Sequence, residues 1–415
     1  MRSALVALLV GLPAAGLWAA DAEKPSPPRF GEPVELMKLP KDQVPLITFA
    51  GPFVRVSPTG ERCIYLRRAG NPIQAMLHIR QFGPPPKEFA VPTAVPARLR
   101  YWLWGFFGHC WRADGRQVAY LLAGSKDGMA DEPVRYRLGA ARFDWSLPLP
   151  QQSGGGVGPN AKRSHTAVSF GAAGKGLWRA ESDLRNHASC RVVGPKGVVY
   201  EGKGFAIHHL VPSPDGRHVA WVETPPWPKR RRSGLSPAER EKAARLGLRQ
   251  KTPPPPTPAI VILDVATRKV VRRIALSRYS SPWPLWAAGG KRLCYGEISQ
   301  IRRIYRREIK AFRLADGTTR VVLRDARPIG ALGRWLVANR GPACIPMTQH
   351  SSSYRPPPGT DPRPKRNEIV LCDLESEAAP LPLLADAFAQ QLVGRDLVYA
   401  RENGPDVVVS KAALE

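Results

Sequence analysis

One ten-residue unit, Ser213-Pro214-Asp215-Gly216-Arg217-His218-Val219-Ala220-Trp221-Val222, constrains the fold of this chain more than any other feature. Proline presets φ for position i+1 of a type I turn, aspartate tolerates i+2, and glycine accepts the left-handed bulge position that follows. The shape recurs from Ser57 to Leu66 and from Arg112 to Leu121, and more weakly from Ala288 to Tyr295 and from Val393 to Ala400. In these five copies an aromatic stands five residues after the turn glycine: Tyr65, Tyr120, Trp221, Tyr295 and Tyr399. Two poorer copies, Gly174 to Trp178 and Gly333 to Ala338, fill the gaps and give seven anchors spaced 42 to 74 residues apart.

The run after each turn, such as Cys63 to Leu66 or Val219 to Val222, is apolar without polar alternation. Continuous apolar strands are buried on both faces, which small sheets achieve by stacking around an axis. Second hairpins follow the anchors: Ile260 to Asp264 with Val270 to Ile274, Lys310 to Leu314 with Thr319 to Leu323, and a strand at Glu368 to Asp373. The expected fold is therefore an all-β propeller of seven four-stranded blades over residues 50–415, with long insertions between strands. About one strand fits after Tyr399, so the segment 21–49 is expected to supply a ring-closing strand near Val34 to Leu39. Closure of this kind removes exposed edges.

The Ser-Pro-Asp-Gly-x-x-(apolar)-Ala-(aromatic) unit resembles the repeat of TolB-type, WD-repeat-like propellers, also found in the propeller halves of prolyl oligopeptidases. That resemblance implies a fold and a habit of binding rather than a reaction. No Gly-x-Ser-x-Gly nucleophile elbow occurs and no peptidase domain follows the repeats, so the protease version of the family is not expected.

Residues 1–20 carry an early arginine, an apolar run from Ala4 to Trp18 and small residues at Ala19 and Ala20. This is the pattern of a secretory signal peptide, too short for a spanning helix. A periplasmic or extracellular address follows. The six cysteines, at 63, 110, 190, 294, 344 and 372, lack metal-ligand spacing. They are expected to be mostly core residues, with one or two bridges.

Sixty-two lysines and arginines oppose 34 acidic residues, a net charge of +28. Much of the charge is concentrated. The Pro-rich insertion 224–258 holds nine basic and two acidic side chains between Lys229 and Lys251, with Arg230, Arg231 and Arg232 consecutive. A second stretch presents Arg302, Arg303, Arg306 and Arg307, whose forked guanidiniums suit phosphate or carboxylate. No nucleic-acid motif is present. Trp102, Trp104, Phe106, Phe107, Trp283 and Trp286 are expected to pack between blades.

Among the eight histidines, His109, His165 and His209 precede turn anchors on strands expected to be innermost. With a carboxylate such as Asp114 they would form a channel metal site. The leading expectation is a monomeric, non-catalytic platform without a cofactor, which binds an anionic envelope polymer or an acidic protein. The alternative is a polysaccharide lyase or hydrolase using a divalent metal in the channel.

Overall fold

The computed structural model describes residues 26–44, 53–69, 74–83, 86–90, 109–112, 114–124, 135–142, 164–170, 176–182, 189–226, 257–277, 282–301, 304–344 and 366–415. The signal segment, Arg230, Arg231, Arg232, Arg302, Arg303, Trp102, Trp104, Phe106 and Phe107 lie outside them. Among the described residues no helix is long and apolar enough to cross a membrane.

The described chain is almost entirely antiparallel β-structure, folded as consecutive sheets: six of four strands and one, the second, of three. In chain order their innermost strands are Val54–Val56, His109–Trp111, Ser164–Phe170, Ala206–Pro212, Leu285–Ala287, Ala326–Leu332 and Ala387–Val393. The outermost strand of the seventh sheet is Val34–Pro40, paired antiparallel with the C-terminal strand Asp406–Ala413. A bridge from Phe30 to Leu414 extends this junction.

The apolar runs are explained by sheets stacked on both sides. In the fourth sheet Val219, Trp221, Val261 and Leu263 pack against the third sheet, in a cluster with Ala167, Trp178 and Ala180. The alternating residues Ala220, Val222, Ile260 and Ile262 pack the other way, against Leu293, Tyr295 and Phe312 of the fifth. Similar clusters join the fifth sheet to the sixth, the sixth to the seventh, and the seventh to the first. Strand residues alternate between faces, so a strand sandwiched in this way reads as a continuous apolar run.

The turn unit has its own role in this stacking. The aromatics at the fifth position after the glycine, Tyr65, Trp221, Tyr295 and Tyr399, are all buried. Gly115 sits with φ +63 against Thr59 of the preceding turn, where a Cβ would come within 2.7 Å of Oγ1. Gly290, at φ +92, stands in the same relation to Asp215, with 3.2 Å available. Left-handed backbone and close approach both select glycine there. Four residues before each of these glycines an indole reaches back to the preceding sheet: Trp111 Nε1 donates to Arg55 O at 3.1 Å and Trp286 Nε1 to Val211 O at 3.0 Å.

Two details differ from the sequence expectation. In the third sheet a left-handed glycine, Gly176, precedes Trp178 by two residues, as Gly333 precedes Trp335, while the expected anchor Gly174 lies outside the described residues. Cys63, Cys190, Cys294, Cys344 and Cys372 are all buried free thiols, so the described residues contain none of the expected bridges.

Candidate functional site at the inner strand ends

Each innermost strand runs from the segment entering its sheet to the first hairpin turn. Arg55 and Arg327 stand near the entering ends of the first and sixth innermost strands. Arg307 lies early in Ile304–Arg313, the third strand of the fifth sheet, which begins at the same end because neighbouring strands are antiparallel. Arg55 and Arg307 thus come from two other sheets within electrostatic reach of Arg327, and both repel it.

None of the three has a carboxylate partner among the described residues. Arg55 Nη1 donates to the backbone carbonyl of Gln390 at 2.9 Å. Arg327 lies with its guanidinium carbon 4.0 Å from the centre of the Trp283 ring, a cation–π contact worth about 0.5–2 kcal/mol. Its Nε and Nη2 are buried and have no hydrogen-bond partner. Burial pulls Arg55 down to about 10 and, with repulsion from Arg307 and Arg55, Arg327 down to about 9. Burial lowers Arg307 as well. A guanidinium stays charged in neutral solution, so these shifts express the free-energy cost of holding unpaired cations away from water.

The neighbouring acid does not relieve them. Asp325, in a left-handed conformation with φ 51°, is buried and directs Oδ2 to Arg306 Nη2 at 3.7 Å. Residues 306 and 307 point to opposite strand faces, so Arg306 takes the acid and Arg307 is left in the cluster. Two buried acids elsewhere are matched by cations. Glu223 accepts from Tyr200 Oη, Trp221 Nε1 and Arg273; Glu297 pairs with Lys310 at 2.7 Å.

His209 completes the aromatic side. It occupies a bulge in the fourth innermost strand, with φ 51°, and its ring centre lies 5.4 Å from that of Trp283. Burial first, then the charges of His208 and Arg327, push its pKa down to about 3. The imidazole is therefore neutral throughout the physiological range. A two-dimensional NMR titration should show His209 unresponsive between pH 8 and pH 5, whereas an ordinary histidine titrates near 6.5. A midpoint above 6 would contradict the Arg327–Trp283–His209 arrangement. The stability linkage has a definite sign: between pH 6.5 and 3 the unfolded chain binds the extra proton, so this histidine destabilises the fold as pH falls.

Amide side chains fix the sheets around the cluster. Gln390 Oε1 accepts from Phe53 N at 3.0 Å and Gln391 Oε1 from Val56 N at 2.8 Å, tying the seventh innermost strand to the first. Asn339 exchanges two hydrogen bonds with the backbone of Ala389, at 2.7 and 2.9 Å, tying the sixth sheet to the seventh.

Of the residues singled out in the sequence, Arg307 and His209 belong to this cluster, and Arg306 is the buried partner of Asp325. His109 and His165 lie on the second and third innermost strands, paired with Tyr120 and Glu181, and their side chains lie outside the description. Asp114 is engaged in its own turn by Arg112 Nε at 3.2 Å and Arg116 N at 2.9 Å. Among the described residues no three metal-ligating side chains form a group. Trp286 packs between sheets, but Trp283 lines the cation cluster instead. Arg55 and Arg327 were not visible as candidates, because each is a single arginine in an arginine-rich chain. Their only signal is a position just after an innermost strand begins.

No protein-family profile matches the chain, and none of the curated proteins does. Solved structures are similar to it at low identity. The tricorn protease shares 13% identity with a TM-score of 0.47, over 95% of this chain and 36% of that one. The Pyrococcus horikoshii acylaminoacyl peptidase shares 12% at a TM-score of 0.42, over 70% and 42%. TolB from Acinetobacter baumannii shares 12% at 0.38, over 86% and 83%. This chain thus spans less than half the length of either peptidase. The expectation of a non-catalytic binding platform is corrected by these findings, because peptidases with longer chains, a prolyl endopeptidase among them, stand among the structures it is similar to.

Proposed function

We propose that this chain acts in peptide processing, as a propeller that admits peptides at the mouth of a central channel. In this reading the seven sheets are seven blades of one ring, closed by Val34–Pro40 on the last of them. The mouth lies at the end where Arg55, Arg307 and Arg327 converge. The protein is exported on its N-terminal signal and works in the cell envelope or outside the cell.

The observation that carries this reading is the set of three guanidiniums without an acid, beside Trp283 and the neutral His209. Half-buried cations without an acid are costly to keep, and perturbed groups near one another mark functional sites. The names of the similar structures, which include peptidases, make peptides the first ligand class to test.

Fluorescence anisotropy with a pool of labelled peptides tests the reading on the full chain. Saturable binding is expected, weakening as salt screens the cations. It is expected to disappear when Arg55, Arg307 and Arg327 are together replaced by methionine. Absence of binding, or equal binding by the triple variant, would contradict the proposal.

A further inference from the structure

We infer that an open cleft between the third and fourth sheets, at the turn ends of their strands, binds a small amphipathic anion. Its apolar body rests on Trp178, Val199 and Val265, and its anionic head lies among Lys196, Arg217 and Arg268. This site is separate from the arginine-ringed mouth and does not depend on peptides entering there.

The cleft has a volume of about 760 Å³, within the range of about 300–1,000 Å³ for small-ligand sites. Its floor is part of the apolar cluster that joins the two sheets, where Trp178 is buried and Val199 and Val265 are half-buried. Two glycines set its walls. A Cβ on Gly194 would stand 3.0 Å from the Trp178 ring, and one on Gly176 would stand 2.2 Å from Pro195. Trp178 and Pro195 therefore lie directly against backbone, and the cleft is shaped before any ligand arrives.

The charges at its rim are unequal in availability. Both acids are used by their own turns. Asp215 accepts from Ser213 Oγ at 2.5 Å and Arg217 N at 3.0 Å, and Asp264 from Thr267 N at 2.7 Å and Thr267 Oγ1 at 2.9 Å. Lys196, Arg217 and Arg268 are exposed, and none makes an ion pair with an acid of the described residues. Arg268 is also held at φ 57°, a conformation that costs a long side chain and that collects at ligand sites.

The turns also decide what the body is made of. Gly216 N donates to Ser213 O at 3.0 Å, and Val265 N to Arg217 O at 2.8 Å. With Arg217 N and Thr267 N also taken, these turns offer little to the N–H and C=O groups of a peptide backbone, which need partners. A hydrocarbon body with one anionic head makes no such demand. Two sources offer that chemistry: an aromatic ring acid and a fatty acid.

Isothermal titration on the full chain compares 2-naphthoate, its uncharged amide, dodecanoate and acetate. One 2-naphthoate per chain is expected, bound about tenfold tighter than the amide, because three exposed cations each contribute up to a few-fold. Acetate has the head without the body and is expected not to saturate at the same concentrations. Ala266→Trp, which fills the cleft from an exposed turn position, is expected to abolish binding. Arg268→Asn removes one cation at a conformation that asparagine accepts, and is expected to cut the acid–amide ratio about threefold. Thermal melts confirm that both variants fold. Replacing Arg55, Arg307 and Arg327 together by methionine is expected to leave 2-naphthoate binding unchanged, which separates this site from the mouth. Dodecanoate binding in place of 2-naphthoate would support the site with a flexible chain as the body. Equal binding of acid and amide, 2-naphthoate binding unaltered by Ala266→Trp, loss of binding in the triple methionine variant, or no binding by either amphiphile would overturn the inference.

Discussion

Trp221→Ala is expected to remove about 3–5 kcal/mol of stability, the range for truncating a fully buried tryptophan. Trp221 has no solvent exposure and lies between the third and fourth sheets, against Ala167, Trp178, Ala180 and Val192. Its ring centre is 4.8 Å from that of Tyr200, and its Nε1 donates to Glu223 at 3.2 Å. Truncation leaves a cavity in a sandwich whose walls are β-strands fixed by their ladders, so little relaxation can fill it. It also removes one donor from a buried carboxylate, which keeps Tyr200 and Arg273. Urea unfolding followed by fluorescence measures the effect. A loss below 1 kcal/mol would mean that the fourth sheet does not depend on packing against the third.

Arg327→Met is expected to act in the opposite direction, raising the stability of the ligand-free protein by about 1–3 kcal/mol. Replacing buried ionic groups by apolar residues of similar volume often stabilises by about 1–4 kcal/mol, and here the charge has no counter-ion to lose. Against this stands the lost contact with Trp283, worth about 0.5–2 kcal/mol. Relief of repulsion with Arg307 and Arg55 adds to the gain. The order should reverse when ligand is present, because binding stabilises only the protein that binds. Destabilisation by more than 1 kcal/mol in the absence of ligand would show that Arg327 holds the fold together rather than waiting for an anion.

The repeat was legible because turn chemistry and two-sided burial both write themselves locally. Pro214, Asp215 and Gly216 specify a turn from their own backbone preferences, and Val219 to Val222 is apolar because neighbouring sheets cover both faces. The pairing of Val34–Pro40 with the C-terminal strand was readable from a count of strands left over. The left-handed glycine before Trp178 was not, because nothing in the Gly-Lys-Gly sequence marks Gly176 for that conformation.

The site was read only in part, for a physical reason. A cluster without acids is defined by what fails to stand beside its cations, and that is a property of three sheets brought together. Arg306 and Arg307 look identical in sequence, yet strand alternation gives one to Asp325 and the other to Arg327. Charge runs drew attention to Arg230 through Arg232, whereas Arg55 and Arg327 stand singly in their strands.

Hydrogen–deuterium exchange with a peptide from the labelled pool at saturation tests most directly whether the ligand enters at the mouth. Protection is predicted in residues 54–56, 282–287 and 326–332, at the entering ends of the innermost strands. The opposite strand ends carry a cleft of about 760 Å³, bounded by Trp178, Pro195, Pro212, Asp215 and Asp264 between the third and fourth sheets. Protection confined to that cleft, with the three inner segments unchanged, would contradict the assignment of ligand binding to the arginine-ringed mouth.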